Sequence, residues 1–131
     1  MFLTKECGYA IRLVRCLADS EKKSVKEICA YTSLPRPFAY KILKKLEHKG
    51  IVAAYRGLDG GYQLTKAPSV VTLYDIVTAV DENVALIECL QPGYECPLDS
   101  DGKRCVIRQE LVRIQEMLVN ALEEKTIEDI L

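Results

Sequence analysis

The sequence predicts a mainly α protein with a small β-hairpin wing: a winged helix-turn-helix DNA-binding region followed by a long C-terminal helix. Three observations carry this. A short capped helix, a three-residue turn and a second helix with a basic, aromatic outer face occupy residues 24–49. Two β-like runs joined by GLDGG follow at once. Residues 105–125 then repeat apolar side chains by threes and fours for the length of one long helix.

From Thr4 to Asp19, apolar residues recur at Ala10, Leu13, Val14 and Leu17, the spacing of a helix with one buried face. Ser24 precedes Glu27 by three positions, so hydroxyl and carboxylate can cap each other's backbone N–H groups at the start of a helix over Val25–Tyr31. Thr32, Ser33 and Leu34 make the turn. The next helix begins near Pro35 or Pro37, where a missing N–H costs nothing, and runs to Lys49 with Gly50 as its stop. Ala39, Ile42, Leu43 and Leu46 face inward, leaving Arg36, Tyr40, Lys41, Lys44, Lys45 and His48 outside. That layout is a helix-turn-helix, whose second helix enters a major groove.

Ile51–Arg56 and Tyr62–Thr65 are strands whose connection offers three glycines for positive-φ turn positions. Arg56, at the foot of the tip, can reach a minor groove, where narrow walls concentrate negative potential. Gly60 and Gly61 complete the wing as the other DNA-facing candidates. Thr72 and Asp75 repeat the capping pattern and open a helix bearing Leu73, Ile76, Val77 and Val80. Val84–Leu90 is a short apolar run leading into the next segment. In the long helix, Ile107, Leu111, Ile114, Leu118 and Leu122 form a stripe that Val106, Val112, Met117 and Val119 widen. One domain does not need so wide a face, and a second chain is expected to cover part of it.

Length and charge bound the rest. A chain of 131 residues is one domain's worth of sequence. Its formal net charge of −1 conceals an asymmetry: residues 1–66 hold 13 Lys and Arg against 6 Asp and Glu, and residues 67–131 hold 5 against 13. The first region, 1–66, has the electrostatic footprint of a nucleic-acid reader, since neutralised phosphates release counterions. The second, 67–131, holds a cysteine loop and the long helix. No apolar run approaches the roughly 20 residues that span a bilayer, which points to a soluble, cytoplasmic protein without a membrane partner.

Six cysteines in such a compartment are not expected to pair as structural disulfides. Cys7, Cys16 and Cys29 lie in apolar helical contexts, where a reduced thiol packs as a small hydrophobe. Cys89, Cys96 and Cys105 instead sit in CLQPGYECPLDSDGKRC, a segment with no room for regular structure between them. Metal, cluster or redox chemistry is the leading use. The wide spacing suits zinc poorly, whereas direct sensing of oxidants, disulfides or persulfides stays open. An enzyme is not expected: there is no nucleophile and base pair, no phosphate-binding glycine loop and one His. The acidic second half could also serve a protein partner.

FLTKECGYAIRLV, LEHKGIV, RGLDGGYQL, TLYDIVTAVDENV and the three later cysteines together resemble the Rrf-type bacterial regulators, the group that includes IscR, NsrR and CymR. The resemblance spans essentially the whole chain. It implies a homodimeric winged-helix transcription factor, usually a repressor, binding double-stranded DNA at a near-palindromic operator. The long helix would pair the subunits, and Cys89, Cys96 and Cys105 would hold an iron-sulfur cluster, 2Fe-2S or 4Fe-4S, that tunes DNA binding in response to a small-molecule or redox signal. Where some relatives have a ligating His, this chain has Arg108; where others have a carboxylate on the first helix, it has Gly8, flanked by Glu6 and Cys7. Cys7 or Glu6 of a second subunit, a water or a small thiol is therefore the expected fourth ligand, and packing of Cys7 beside Ala10, Val14 and Leu17 is the alternative. Family analogy puts base contacts at Arg36, Tyr40 and Lys41, phosphate contacts at Lys44 and Lys45, and Arg56 in the wing. Pro35 and Pro37 replace small polar residues there, so a target sequence cannot be borrowed.

Overall fold

In the computed structural model, residues 3–98 and 105–131 are described. Helix α1, Lys5–Cys16, starts where the Thr4 hydroxyl accepts from the Cys7 N–H, and α2, Val25–Thr32, starts on the complete Ser24/Glu27 capping box. Ser33 takes the left-handed conformation at φ 58° and ends α2. Helix α3, Arg36–His48, follows with Pro37 in its first turn, and Gly50, at φ 71°, lets the chain leave it. Strands β1, Val52–Tyr55, and β2, Gly61–Leu64, pair antiparallel with Val52 opposite Leu64 and Tyr55 opposite Gly61.

The wing is rooted as well as paired. Lys23 and Tyr62 exchange backbone hydrogen bonds at 2.9 and 2.8 Å, so the α1–α2 connection acts as a third edge of the hairpin. This close approach explains the glycines differently from the turn expectation. Gly57 and Gly61 have positive φ, but Gly60 does not; a Cβ there would stand 2.6 Å from the Tyr55 carbonyl and 2.8 Å from that of Gly57. A Cβ on the buried Gly61 would overlap the Lys23 carbonyl. Gly61 is thus needed to seat the wing, which is a structural reason for a residue first singled out for DNA.

Helix α4, Leu73–Val80, opens on the Thr72/Asp75 capping box and buries Ile76, Val77, Ala79 and Val80. These join Leu13, Val14 and Leu17 of α1, Ile28 of α2, and Ile42, Leu43 and Leu46 of α3 in one core. Charge therefore changes sign near residue 66, but the core runs across that point: Val71, α4 and Ile127 pack in the same cluster. Among the described residues, no helix is long and apolar enough to cross a membrane.

Helix α5, Val106–Glu124, spans 19 residues and has no buried residue. Val106 is 75% exposed, Ile107 69% and Met117 58%. Beyond it the chain returns: Ile127 is buried, and its N–H donates to the Val71 carbonyl at 2.8 Å.

Candidate functional site: a thiol pocket and a divided basic face

Cys89, Cys96 and Cys105 line one pocket of about 570 Å³, with Tyr94, Arg108, Gln109 and Val112 completing its wall. Both described ends of this cysteine segment carry regular structure. Cys89 lies within a 3₁₀ turn, Glu88–Leu90, and Cys105 is the N-cap of α5, its Sγ accepting from the Arg108 N–H at 3.5 Å. Arg108 Nε in turn donates to the Cys89 carbonyl at 3.2 Å. One arginine therefore links the first and third thiols through the start of α5. Further along, Gln115 accepts from the Leu86 N–H at 2.8 Å, which holds the approach to Cys89 against the same helix. The short apolar run Val84–Leu90 is mostly half-exposed, with only Ala85 inside.

All six cysteines are free. The donor set of the pocket is three soft thiols, which suits iron-sulfur or other thiophilic chemistry. Among the described residues, no fourth Cys, His or carboxylate lines it, and no three such side chains are grouped closely enough to hold a metal ion. Arg108 brings a permanent positive charge to a site that a thiolate-bound anion would occupy. Cys7 departs from the ligand expectation and follows the packing alternative. It is 1% exposed, in the core with Ala10 and Val14, and its Sγ lies 3.3 Å from the Thr4 hydroxyl. Glu6 is also committed: its Oε1 is 2.8 Å from Lys45 Nζ and 3.5 Å from Lys41 Nζ. Burial alone would raise the Glu6 carboxyl, but the Lys45 hydrogen bond and the two lysine charges hold it below its ordinary value. For Cys16, burial is the largest influence and pushes the thiol up, keeping it protonated.

The outer face of α3 divides in two. Arg36 and Tyr40 meet Arg56, Gly60 and Gly61 along a cleft of about 670 Å³ between α3 and the wing, to which Lys26, Tyr55 and Tyr62 also contribute. Lys41, Lys44 and Lys45 instead line a second hollow of about 520 Å³, with His48, Lys49 and Glu82, against the end of α4. Lys45 departs furthest from its expected phosphate contact, because its ammonium is turned inward to Glu6 and to the Val80 carbonyl. Sequence reasoning missed Lys26 on α2 and Lys22, whose Nζ lies 5.5 Å from the Tyr55 ring centre. Their signal was present in the charge of residues 22–26, but the wing's rooting on Lys23 that brings it to the cleft is a tertiary fact.

Residues 3–131 match the Rrf2 family, described as an iron-dependent transcriptional regulator. Protein aau3 of Rhizobium meliloti is 38% identical over 122 residues, 90% of this chain and 79% of that protein. The HTH-type transcriptional regulator NsrR of Geobacillus kaustophilus is 31% identical over 135 residues, covering 100% of this chain and 90% of its own. In fold, the chain is similar to CymR (YrzC), the global cysteine regulator of B. subtilis, with a TM-score of 0.78 at 23% identity over 99% of this chain and 95% of that one. It is similar also to T. potens IscR, with a TM-score of 0.76 at 19% identity over 99% and 85%. With a family match over nearly its whole length, relatives that regulate transcription, and a wing beside a basic helix-turn-helix, the chain belongs to the Rrf2 family of DNA-binding winged-helix transcriptional regulators.

Proposed function

We propose that this regulator acts as a homodimeric repressor on a near-palindromic operator, and that its affinity is set by chemistry at Cys89, Cys96 and Cys105, which hold an iron-sulfur cluster. The observation that carries the reading is the sharing of one pocket by three free thiols at the base of α5. When bound, a cluster supplies iron sites that react with oxygen, nitric oxide or other small molecules. The chain's own part is positional. Cys105 caps α5, and Arg108 joins α5 to the turn that carries Cys89, so drawing the thiols together or releasing them acts on the helix end. The exposed apolar face of α5 is the surface on which a second subunit would pack. Dimerisation there sets the distance between two recognition helices, roughly 34 to 36 Å for half-sites one helical turn apart. A small rotation then alters both contacts together. Residues 1–66 supply the DNA-reading surface and residues 67–131 the sensor and the subunit contact, acting in the cytoplasm.

A second reading rests on a specific observation: among the described residues, the pocket is lined by three thiols and by no fourth Cys, His or carboxylate. In that case the thiols react directly in place of a cluster: two of them exchange with an external disulfide, which leaves as two reduced thiols, or one takes a sulfane sulfur from a persulfide donor, which leaves as a thiol.

The test is anaerobic purification with an absorption spectrum and iron and sulfide analysis on the wild type and on Cys96→Ala. A visible band with matching iron and sulfide, lost in the variant, supports the cluster. Colourless, iron-free protein whose DNA binding changes on treatment with a disulfide or persulfide donor supports direct thiol sensing and overturns the cluster.

A further inference from the structure

We infer that Lys45 is a positioning residue for DNA reading, one that holds the recognition helix at its angle without touching phosphate. Its Nζ donates to Glu6 Oε1 at 2.8 Å and to the Val80 carbonyl at 2.9 Å. Glu6 lies in the first turn of α1, and Val80 is the last residue of α4, where helix carbonyls have no partner of their own and the helix dipole is negative. A single ammonium thus joins three helices at separations of 39 and 35 residues. Two of its three N–H donors are spent inside the protein, and the Glu6 carboxylate answers its charge. Few counterions are left for it to release on DNA. Lys44, its neighbour, is exposed and makes no ion pair among the described residues, so the two adjacent lysines carry different tasks. The inward face of α3 packs through alkyl side chains, which are tolerant of small rotations about the helix axis; the directional bonds of Lys45 fix that rotation. Arg36 and Tyr40, about two and a half turns and just over one turn earlier on α3, meet the base edges at the angle so fixed.

The experiment uses the full chain, an operator duplex selected by the wild type from a random pool, and an unrelated duplex of equal length, each titrated across a series of salt concentrations. For Lys44→Gln, binding to both duplexes should weaken alike and the salt slope should fall by about 0.9 per recognition helix. Lys45→Gln should cut the ratio of operator to unrelated affinity by about tenfold, the worth of one displaced base contact, and leave the slope unchanged. Glu6→Ala should lower the same ratio, and Lys45→Arg, which keeps the charge and the donors, should recover most of it. Equal loss on both duplexes with a smaller slope in Lys45→Gln would make Lys45 an ordinary phosphate contact and overturn the inference. An unchanged ratio in both Lys45→Gln and Glu6→Ala would overturn it as well. Should Lys45→Gln fail to fold, Glu6→Ala decides the matter by the same ratio.

Discussion

Arg108 Nε donates to the carbonyl of Cys89 at 3.2 Å, so the first thiol of the pocket is tied to the helix that begins at the third. The side chain spans 19 positions of sequence with one bond. Removing it in Arg108→Ala should loosen the turn Glu88–Leu90 and speed alkylation of Cys89 by about threefold to tenfold, the worth of one modest hydrogen bond. Mass-spectrometric labelling rates of apoprotein check this; identical rates would mean that the turn holds without Arg108.

The wing assignment predicts a selective defect. Arg56→Ala should weaken operator binding, lower the salt slope by about 0.9 for each wing on phosphate or groove, and leave subunit association intact. Fluorescence anisotropy at several salt concentrations, with light scattering for mass, separates the two effects. Unaltered affinity at fixed salt removes Arg56 from the interface.

Thiol reactivity should divide by position. Cys7 and Cys16 are buried, and burial holds Cys16 above the ordinary thiol value. Both should be labelled slowly by iodoacetamide in the native protein, while Cys89, Cys96 and Cys105 react readily. The sign for stability follows from the same shift. A thiol whose folded-state pKa is raised binds its proton more tightly when folded, so its contribution is present below its ordinary value and is lost as pH rises through the folded one. Denaturant midpoints of wild type and Cys16→Ala should therefore converge on the alkaline side of about pH 9. A constant gap between them across that range would remove the thiol's titration from the stability of the core.

A cap offers a test of the core rather than of the site. The Thr72 hydroxyl accepts from the Asp75 N–H at 3.1 Å, and the Asp75 carboxylate accepts from the Thr72 N–H at 2.9 Å. Thr72→Ala should cost about 1 kcal/mol and lower Tm by a few degrees without changing DNA contacts. Calorimetry of the variant measures it directly.

The apolar face of α5 makes the last prediction. Ile107→Asp combined with Met117→Glu places charge on two exposed positions that a partner subunit would cover, and should yield folded monomer with operator affinity reduced by orders of magnitude. Sedimentation gives the mass, and a dimer of unchanged stability would move the subunit contact elsewhere.

Much of this architecture could be read from local chemistry. Ser24 with Glu27, and Thr72 with Asp75, mark helix starts because a capping box needs only residues three apart, and both boxes form. The helix-turn-helix and wing were legible for the same reason: their signals are periodicity and turn chemistry. What sequence could not supply was which neighbour claims a polar group. Lys45 and Lys44 are alike in the sequence and opposite in the fold, since only one points at Glu6 and Val80. Cys7 and Cys105 are both cysteines near a helix start; one is packed beneath its helix, the other stands exposed at its end. Gly60 needs to be glycine because carbonyls crowd it, a reason that exists only once the hairpin is closed.

The return of the chain at Ile127 has a mechanical meaning. Thr126 bridges to Thr72, the Leu73 N–H donates to the Lys125 carbonyl at 3.3 Å, and Ile127 is fully buried, so the C-terminal end of α5 is clamped to the same core that carries the recognition helix. The opposite end, at Cys105, is exposed, and side-chain bonds brace it, by Gln115 midway and by Arg108 near the tip. Helix α5, about 28 Å long, is therefore held by backbone bonds at its C-terminal end and otherwise by packing on α4 and by side-chain bonds. A few degrees of tilt at the clamp correspond to displacements of ångströms at the thiols, and force applied at the thiols is delivered through it to α4.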